Sequence, residues 1–293
     1  MSRVSLEKLL RESVEKKYAI GAFGVMDHLF TESIMNAAEE TNTPIIIMAG
    51  DFLFGNPDFP RFIEYVKNRL DESPVPTCLH LDHGSSVESC IQAIHYGFNS
   101  VMMDASKMEL EENIAITKKI VEIAHSCGVS VEGEIGHVGG VEHGVEIRKD
   151  MKIEQSQEDM YTKVEDAVRY VRETQVDALA VAIGTVHGPC FSKPKLDIER
   201  LAEIRNAVSV PLVMHGGTGL TDEEFRKTIE NGINKINYFS GVALNGTKRV
   251  MELLDRDKDK MIYFDAIVSA GKSGVTEEVK RCIKVFQTQS LGL

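Results

Sequence analysis

Eight short apolar segments recur along the chain, and longer charged segments with helical periodicity separate them. Each apolar segment is rich in Val, Ile, Met or Ala and is too short for a core helix. Near-continuous apolar strands that alternate with amphipathic helices predict a parallel β-sheet covered by helices. The predicted strands are Ala19–Val25, Thr43–Gly50, Pro76–Asp82, Ser100–Ser106, Val129–Ile135, Ala178–Gly184, Val210–Gly217 and Lys235–Ser240.

Helical periodicity is clear in three of the charged segments. Near the N-terminus, apolar positions at helical spacing among charges predict an amphipathic helix. Two later segments, Glu111–His125 and Glu165–Thr174, show the same pattern, and the second is expected to bury Val168 and Val171. The apolar positions of the N-terminal helix are Leu6, Leu9, Leu10 and Val14.

Eight strand–helix units in sequence predict an α/β fold, a (β/α)8 TIM barrel with an N-terminal helix. An open, doubly wound sheet is the alternative, because strand order cannot be read from sequence. The 293 residues show no composition break, tandem repeat or low-complexity linker. We therefore predict one domain over residues 1–293, within the length that α/β barrels commonly reach.

Composition narrows the possible functions. The net charge of −12 argues against nucleic-acid binding, which needs clustered Lys and Arg, although a few local donors are enough for a small anion. No apolar run approaches the roughly 20 residues of a membrane span, and no signal peptide is visible. The five cysteines form no close pair and are typical of reduced thiols. A cytoplasmic protein without membrane or nucleic-acid partners is predicted.

Three of the nine histidines stand at the ends of predicted strands, each followed directly by glycine. They are His83, His187 and His215. The C-terminal strand ends of a TIM barrel carry the active site, and three neutral imidazoles suit a catalytic zinc with an open fourth position. One such histidine is more often a hydrogen-bonded loop residue, but three at corresponding positions favour a metal site.

Four carboxylates lie outside the solvated helical patterns: Asp82, Glu132, Glu134 and Glu142. Asp82 directly precedes a predicted metal ligand, where it can move a proton. Glu142 follows two glycines in the segment His137–Gln157, which is predicted to be a mobile loop after strand five. Without a metal, each of these carboxylates would more often be a cap or a loop hydrogen-bonding group.

The glycine-rich turn His215–Gly219 precedes a helix predicted to begin near Thr221. Its backbone N–H groups can converge on one point, which predicts an anion site. Such a turn is weak evidence alone, but barrels usually bind phosphate after strands seven and eight. On strand three, His80 alternates with Asp82 and is either a support for the site or a core residue.

These features together resemble the class II fructose- and tagatose-bisphosphate aldolases. The resemblance runs in the family's order from about residue 19 onward. The matching segments are His80–Gly84, Val131–Glu142, Ala180–Gly188, Lys195–Arg205, Val210–Gly219 and Lys235–Asn237.

The resemblance implies a metal centre and two proton carriers. His83, His187 and His215 would bind one catalytic Zn²⁺ per chain. Glu134 would be an alternative ligand when the metal shifts. The proton of the C4 hydroxyl would be exchanged by Asp82, and that on C3 by Glu142.

The implied reaction is the reversible retro-aldol cleavage of a ketose (bis)phosphate into dihydroxyacetone (phosphate) and a three-carbon aldehyde, with zinc stabilising the enediolate. Many relatives also bind Na⁺ or K⁺ and form homodimers or homotetramers. The implied phosphate pocket consists of Gly188, Gly216, Thr218 and Ser240, and Asn237 would contact the substrate.

The chain departs from the family around the phosphate pocket. Cys190 and Phe191 stand where a lysine usually follows the strand-six histidine, and Phe239 replaces a small or acidic residue. Three alternatives follow: a ketose-bisphosphate aldolase, an aldolase for a ketose that lacks the C1 phosphate or carries a sulfonate at C6, and a non-catalytic metal-binding barrel. The third is disfavoured because Asp82 and Glu142 are both present.

Overall fold

The computed structural model describes residues 3–140, 160–188 and 194–290. The strands in these ranges are β1 (Ile20–Gly24), β2 (Ile45–Gly50), β3 (Thr77–Gly84), β4 (Ser100–Met103), β5 (Ser130–Ile135), β6 (Gly139–Gly140), β7 (Ala178–Val181), β8 (Val186–His187), β9 (Leu212–Met214) and β10 (Ile233–Tyr238). The helices are α1 (Leu6–Lys16), α2 (His28–Thr41), α3 (Phe59–Asp71), α4 (Val87–Tyr96), α5 (Leu110–Ser126), α6 (Val164–Thr174), α7 (Ile198–Ala207), α8 (Asp222–Glu230), α9 (Ser240–Arg256) and α10 (Phe264–Val285).

Eight parallel strands close into a barrel in the order β1-β10-β9-β7-β5-β4-β3-β2. Strand β1 pairs with both β2 and β10, so the sheet has no open edge there. This confirms the predicted (β/α)8 barrel and excludes the open doubly wound sheet. The strands are short and almost wholly buried, as expected for parallel strands covered by helices.

Helix α1 covers the N-terminal end of the barrel. Ser5 caps the helix, and Val4 donates its backbone N–H to the carbonyl of Thr77, at the start of β3. Leu6 and Leu10 are fully buried and pack with apolar side chains of the barrel interior. The predicted N-terminal helix is thus confirmed. Because this end of the barrel is covered by apolar side chains, a polar site is expected at the opposite end.

Helices α5 and α6 lie where the charged segments predict them, but the buried face of α6 differs from the prediction. Val171 is partly buried against the core, as expected, but Val168 is 38% exposed, whereas Tyr170 is fully buried. The Tyr170 hydroxyl forms hydrogen bonds with Asn113 Oδ1 at 3.0 Å and with Thr117 Oγ1 at 2.8 Å, both on α5. Hydrogen bonding between the two helices therefore determines which face of α6 turns inward.

The sixth barrel strand is shorter than predicted. Strand β7 ends at Val181 rather than at Gly184, and the chain then leaves the barrel wall. Val186 and His187 instead pair in parallel with Gly139 and Gly140, forming a two-stranded sheet of β6 and β8. Among the predicted metal ligands, His187 therefore lies on this small sheet and not on a barrel strand tip.

The described ranges contain no helix that is both long and apolar enough to cross a lipid bilayer. Four of the five cysteines lie in these ranges and are free thiols, of which Cys127 alone is exposed. Cys190 lies outside the described residues.

Candidate active site

A cavity at the C-terminal end of the barrel brings most of the predicted site residues together. Glu134 lies buried next to the cavity wall, and Glu142 lies outside the described residues. The predicted residues that line the cavity are Asp82, His83, His187, Gly188, His215, Gly216, Thr218, Asn237 and Ser240.

Three imidazoles meet at the base of this cavity. The ring centroids of His83 and His215 are 4.8 Å apart, those of His83 and His187 5.0 Å, and those of His187 and His215 5.6 Å. One ligand atom from each ring lies within 4.8 Å of the others. His83 and His215, which are 132 positions apart in sequence, thus converge with His187 on one point, with the donor set that catalytic zinc prefers.

The Asp104 carboxylate orients His83. Nδ1 of His83 donates to Asp104 Oδ2 at 2.7 Å, which leaves Nε2 directed toward the other imidazoles. Burial disfavours the imidazolium, but the neighbouring Asp82 and Asp104 carboxylates outweigh it and raise the pKa of His83 to about 10. Asp104 was not predicted as a site residue, because it follows β4 without any motif that marks it.

Glu132 orients His215 in the same way. His215 Nε2 donates to Glu132 Oε1 at 3.0 Å, which leaves Nδ1 as the ring's acceptor atom. His83 Nε2 lies 3.1 Å from that Nδ1, so the protonated His83 ring donates to it. Each of these two histidines is therefore held by a carboxylate on one ring nitrogen and turns the other toward a shared point, as is usual around bound metals.

The small sheet of β6 and β8 places His187. Gly140 has φ +109°, and a Cβ atom there would lie 2.3 Å from the carbonyl oxygen of His187. Gly216 has φ +69°, and its Cβ would lie 2.4 Å from the carbonyl oxygen of Val186. Glycine at both positions lets three backbone segments pack closely enough to bring His187 beside His83 and His215.

Glu134 lies behind the imidazoles, where its Oε2 is 3.7 Å from His215 Nδ1. His83, Asp104 and Glu134 form a second group whose ligand atoms lie within 4.8 Å of one another. Asp104 and Glu134 would therefore offer carboxylate oxygens, together with His83, to a metal displaced from the three histidines.

Asp82 lies at the cavity wall, where it is 4% exposed. Asn237 Nδ2 donates to Asp82 Oδ1 at 2.8 Å, and the same oxygen lies 3.9 Å from His83 Nε2. The carboxylate is thus fixed beside the imidazole cluster and in reach of a molecule in the cavity.

A buried polar layer underlies the site. Lys235 is fully buried and donates to Glu132 Oε2 at 2.8 Å and to Asn237 Oδ1 at 2.7 Å. His80 lies beside it, with Nδ1 2.8 Å from Ser100 Oγ, and burial lowers the pKa of His80 to about 3. Glu132 stood out in the sequence without a specific role, and Lys235 was not predicted, although two-residue strand spacing from Glu134 and Asn237 places them on the same inward side.

The remaining cavity wall suits an anion. The turn from His215 ends at Thr221, which caps α8 and accepts from Glu224 N, as predicted. Gly216 and Thr218 line one side of the cavity, and Ser240 lies in the first turn of α9. Backbone N–H groups at the start of a 17-residue helix are able to hydrogen-bond an anion without any charged side chain.

The described part of the cavity wall contains no Lys or Arg side chain. It contains instead the carboxylate of Asp51 and the aromatic rings of Phe52 and Phe239. The Phe239 ring packs on Phe30, with ring centroids 5.9 Å apart. Apart from the histidine cluster and the carboxylates of Asp51 and Asp82, the described wall therefore offers an anion neutral donors and aromatic surface.

Comparison with known proteins shows similarity over nearly the whole chain. The family model for class-II fructose-bisphosphate aldolase matches residues 4–290. A 6-phospho-5-dehydro-2-deoxy-D-gluconate aldolase of Halalkalibacterium halodurans is 39% identical over 98% of this chain and 97% of its own. A probable fructose-bisphosphate aldolase of Bacillus subtilis is 40% identical over 89% of each chain. The crystal structure of the YdjI aldolase from Escherichia coli K12 superposes with TM-score 0.82 at 32% identity, covering 98% of both chains.

Proposed function

This chain belongs to the class II fructose-bisphosphate aldolase family and is a carbon–carbon lyase, and we propose that it uses zinc to cleave a phosphorylated ketose by reversible retro-aldol reaction. The products would be dihydroxyacetone, or its phosphate, and a three-carbon aldehyde. The observation that carries the proposal is the meeting of three imidazoles beside the buried carboxylate of Asp82.

His83, His187 and His215 would hold the metal. Three imidazoles with carboxylate partners on two of them match the ligand set of catalytic zinc. When bound, zinc supplies a Lewis acid that draws electron density from the ketose carbonyl and so stabilises the developing enediolate.

Asp82 would accept the proton of the C4 hydroxyl as the C3–C4 bond breaks. The electron pair of that bond would pass to C3. The hydrogen bond from Asn237 holds Asp82 Oδ1 in place, and the ionised carboxylate is the form that accepts a proton. Glu142 would return a proton to C3, a role that stays a prediction because the residue lies outside the described ranges.

The anion site would hold the substrate phosphate at the start of α9. Gly216, Thr218 and Ser240 supply neutral donors there, and Gly188 lies next to His187 in the cavity wall. Asn237 would contact the substrate next to Asp82. The Na⁺ or K⁺ requirement, the homodimer or homotetramer and the cytoplasmic location stay predictions.

A second substrate class is favoured by the described cavity wall. A phosphate dianion needs charge-assisted donors to offset its desolvation, and neither Phe239 nor Phe52 provides one. This favours a ketose without the C1 phosphate, or one with a sulfonate at C6, over fructose 1,6-bisphosphate. Phe191, which supports the same argument, lies outside the described residues.

Metal analysis tests the zinc proposal. The purified protein should hold about one zinc per chain, and His215→Ala should lose both the metal and the cleavage activity. His125→Ala is the matched control, because His125 is 42% exposed and bonds Asp177 away from the cavity. Full activity in exhaustively chelated protein would contradict the proposal.

A substrate panel tests the substrate class. We expect kcat/KM for fructose and tagatose bisphosphates to be below that for analogues without the C1 phosphate or with a C6 sulfonate. The panel includes 6-phospho-5-dehydro-2-deoxy-D-gluconate, for which one relative is named. A hundredfold preference for either bisphosphate, roughly 2.7 kcal/mol of transition-state binding, would show that the less charged substrate class is wrong.

A further inference from the structure

A fully buried lysine lies beneath the histidine cluster, and it bonds residues that belong to two parts of the proposed mechanism. Nζ of Lys235 donates to Glu132 and to Asn237, and it lies 3.5 Å from Nε2 of His80. An ammonium has three donors, and the oxygens of Glu132 and Asn237 accept two of them. Lys235 does not line the cavity, so it acts on the chemistry only through its partners.

The contact with Lys235 determines which way the Asn237 amide faces. An ammonium can only donate, so the amide atom 2.7 Å from Nζ is the oxygen. The amide nitrogen then points to Asp82 Oδ1 at 2.8 Å. Without the lysine, the amide oxygen would lose its donor, and a turned amide could accept from His215 Nε2, which lies 3.2 Å from the amide nitrogen. Its oxygen would then also face the Asp82 carboxylate, where two acceptors repel.

The second contact acts on the histidine cluster. Lys235 holds Glu132 Oε2 at 2.8 Å, while Glu132 Oε1 accepts from His215 Nε2 at 3.0 Å. One carboxylate thus bridges the ammonium and the imidazole. The position of Glu132 keeps the His215 proton on Nε2 and leaves Nδ1 for a metal.

We propose that Lys235 is a positioning residue that aligns Asp82 through Asn237 and His215 through Glu132. One buried cation thereby fixes the positions of both the proton acceptor and one metal ligand. This inference rests on the proposed function for the roles of Asp82 and His215.

The competing interpretation is that Lys235 only neutralises Glu132. A simple counter-ion is dispensable once Glu132 is neutral, because replacing both members of a buried ion pair is often tolerated. A lysine that also orients Asn237 remains necessary. The double variant Glu132→Gln/Lys235→Met separates the two interpretations, and it also provides a folded protein if Lys235→Met alone leaves an uncompensated buried carboxylate and unfolds.

Four proteins are compared: wild type, Lys235→Met, Glu132→Gln and the double variant. Thermal melting of the metal-free proteins, zinc affinity by chelator competition, kcat and KM are measured for each. We expect the double variant to melt close to Glu132→Gln, yet to have a kcat at least tenfold lower at saturating zinc, with KM within about threefold. Equal kcat values for Glu132→Gln and the double variant would overturn the role through Asn237.

Zinc affinity tests the role through Glu132 without any substrate. Lys235→Met should weaken zinc binding by about 10–100-fold, the usual effect of losing a group that orients a ligand. In the Glu132→Gln background the same substitution should change zinc affinity little, since the effect passes through Glu132. Wild-type zinc affinity in Lys235→Met, or a full additional loss in the double variant, would overturn this part.

Arg69→Met is the matched control. Arg69 is also a largely buried cation that bonds two carboxylates, Glu32 and Glu39, but it lies between α2 and α3 away from the cavity. The Arg69→Met substitution should lower the melting temperature and leave zinc affinity and kcat at wild-type values. If the wild type cleaves no ketose, the proposed function fails, while the zinc measurements still decide whether Lys235 positions His215.

Discussion

At the scale of single residues, His83 shows how the site is held ready for a ligand. Its φ of +50° lies in the left-handed region, which residues other than glycine rarely adopt. Its pKa is raised to about 10 by Asp82 and Asp104 against the effect of burial. Backbone strain and a displaced pKa at one residue are typical of functional sites, and here both fall on a proposed metal ligand.

Zinc binding should therefore release a proton at a pH where an ordinary histidine releases none. With a pKa near 10, metal-free His83 is protonated at pH 8, and zinc must displace that proton. Apparent affinity should then rise about tenfold per pH unit between pH 7.5 and 8.5, and should flatten only as pH passes the pKa. Calorimetry in buffers of different ionisation enthalpy should show about one proton released per zinc at pH 8. Release of no proton would contradict the raised pKa.

Asp82→Asn tests the proton acceptor. The substitution keeps the side-chain shape, so the histidines should still bind zinc, but an amide cannot take the C4 hydroxyl proton. We expect cleavage to fall by about 10²–10⁴-fold, the usual contribution of a positioned base. Asp71→Asn is the control, since Asp71 forms an exposed ion pair with Arg3 far from the cavity. Wild-type kcat in Asp82→Asn would assign the proton transfer to another group.

At the scale of secondary-structure elements, the two-residue strands β6 and β8 have the greatest effect on the site. They bring His187 to the histidine cluster after β7 has already ended. Their close approach depends on Gly140, where any side chain would collide with the His187 backbone.

Gly140→Ala should therefore displace His187 and weaken zinc binding. A methyl group 2.3 Å from the His187 carbonyl cannot be accommodated without moving that backbone. We expect a loss of at least tenfold in zinc affinity, comparable to the loss of a supporting contact. Gly128→Ala is the matched control, because Gly128 also has positive φ, +70°, but a Cβ there meets nothing within 4 Å. Equal zinc affinities in the two variants would show that the small sheet does not position His187.

At the scale of the whole molecule, barrel closure assembles the site. His83, His187 and His215 come from three separate strand–loop units, and their supports Asp104, Glu132 and Lys235 come from others. Because an unfolded chain does not hold these residues together, zinc binding and folding of the barrel are thermodynamically linked.

Zinc should accordingly raise the melting temperature of the whole protein. A ligand at 100 times its Kd adds about 2.7 kcal/mol to folding stability, which corresponds to roughly 5 °C for a chain of this size. Differential scanning calorimetry with and without a chelator measures the shift, and His215→Ala should abolish it. An identical melting temperature in both conditions would show that the native site does not bind zinc.

The sequence alone predicted the barrel, the N-terminal helix, and the histidines and Asp82 that line the cavity. These predictions succeeded because strand and helix periodicities are local properties, and because the C-terminal ends of parallel barrel strands face the same side. Lys235 and Glu132 were within reach of the same two-residue spacing, but a charged side chain in a buried strand is interpretable only once its partner across the barrel is known.

Only the tertiary structure decided which contacts hold the site together. The support of His83 by Asp104 joins residues 21 positions apart, and that of Asp82 by Asn237 joins residues 155 apart. Val168 was expected inside and lies outside, because α6 turns Tyr170 toward partners on α5. His187 was expected at the end of a barrel strand and lies on a separate two-stranded sheet. In each case the outcome depends on hydrogen-bonding partners or backbone packing distant in sequence, which no local pattern of hydrophobic and polar residues encodes.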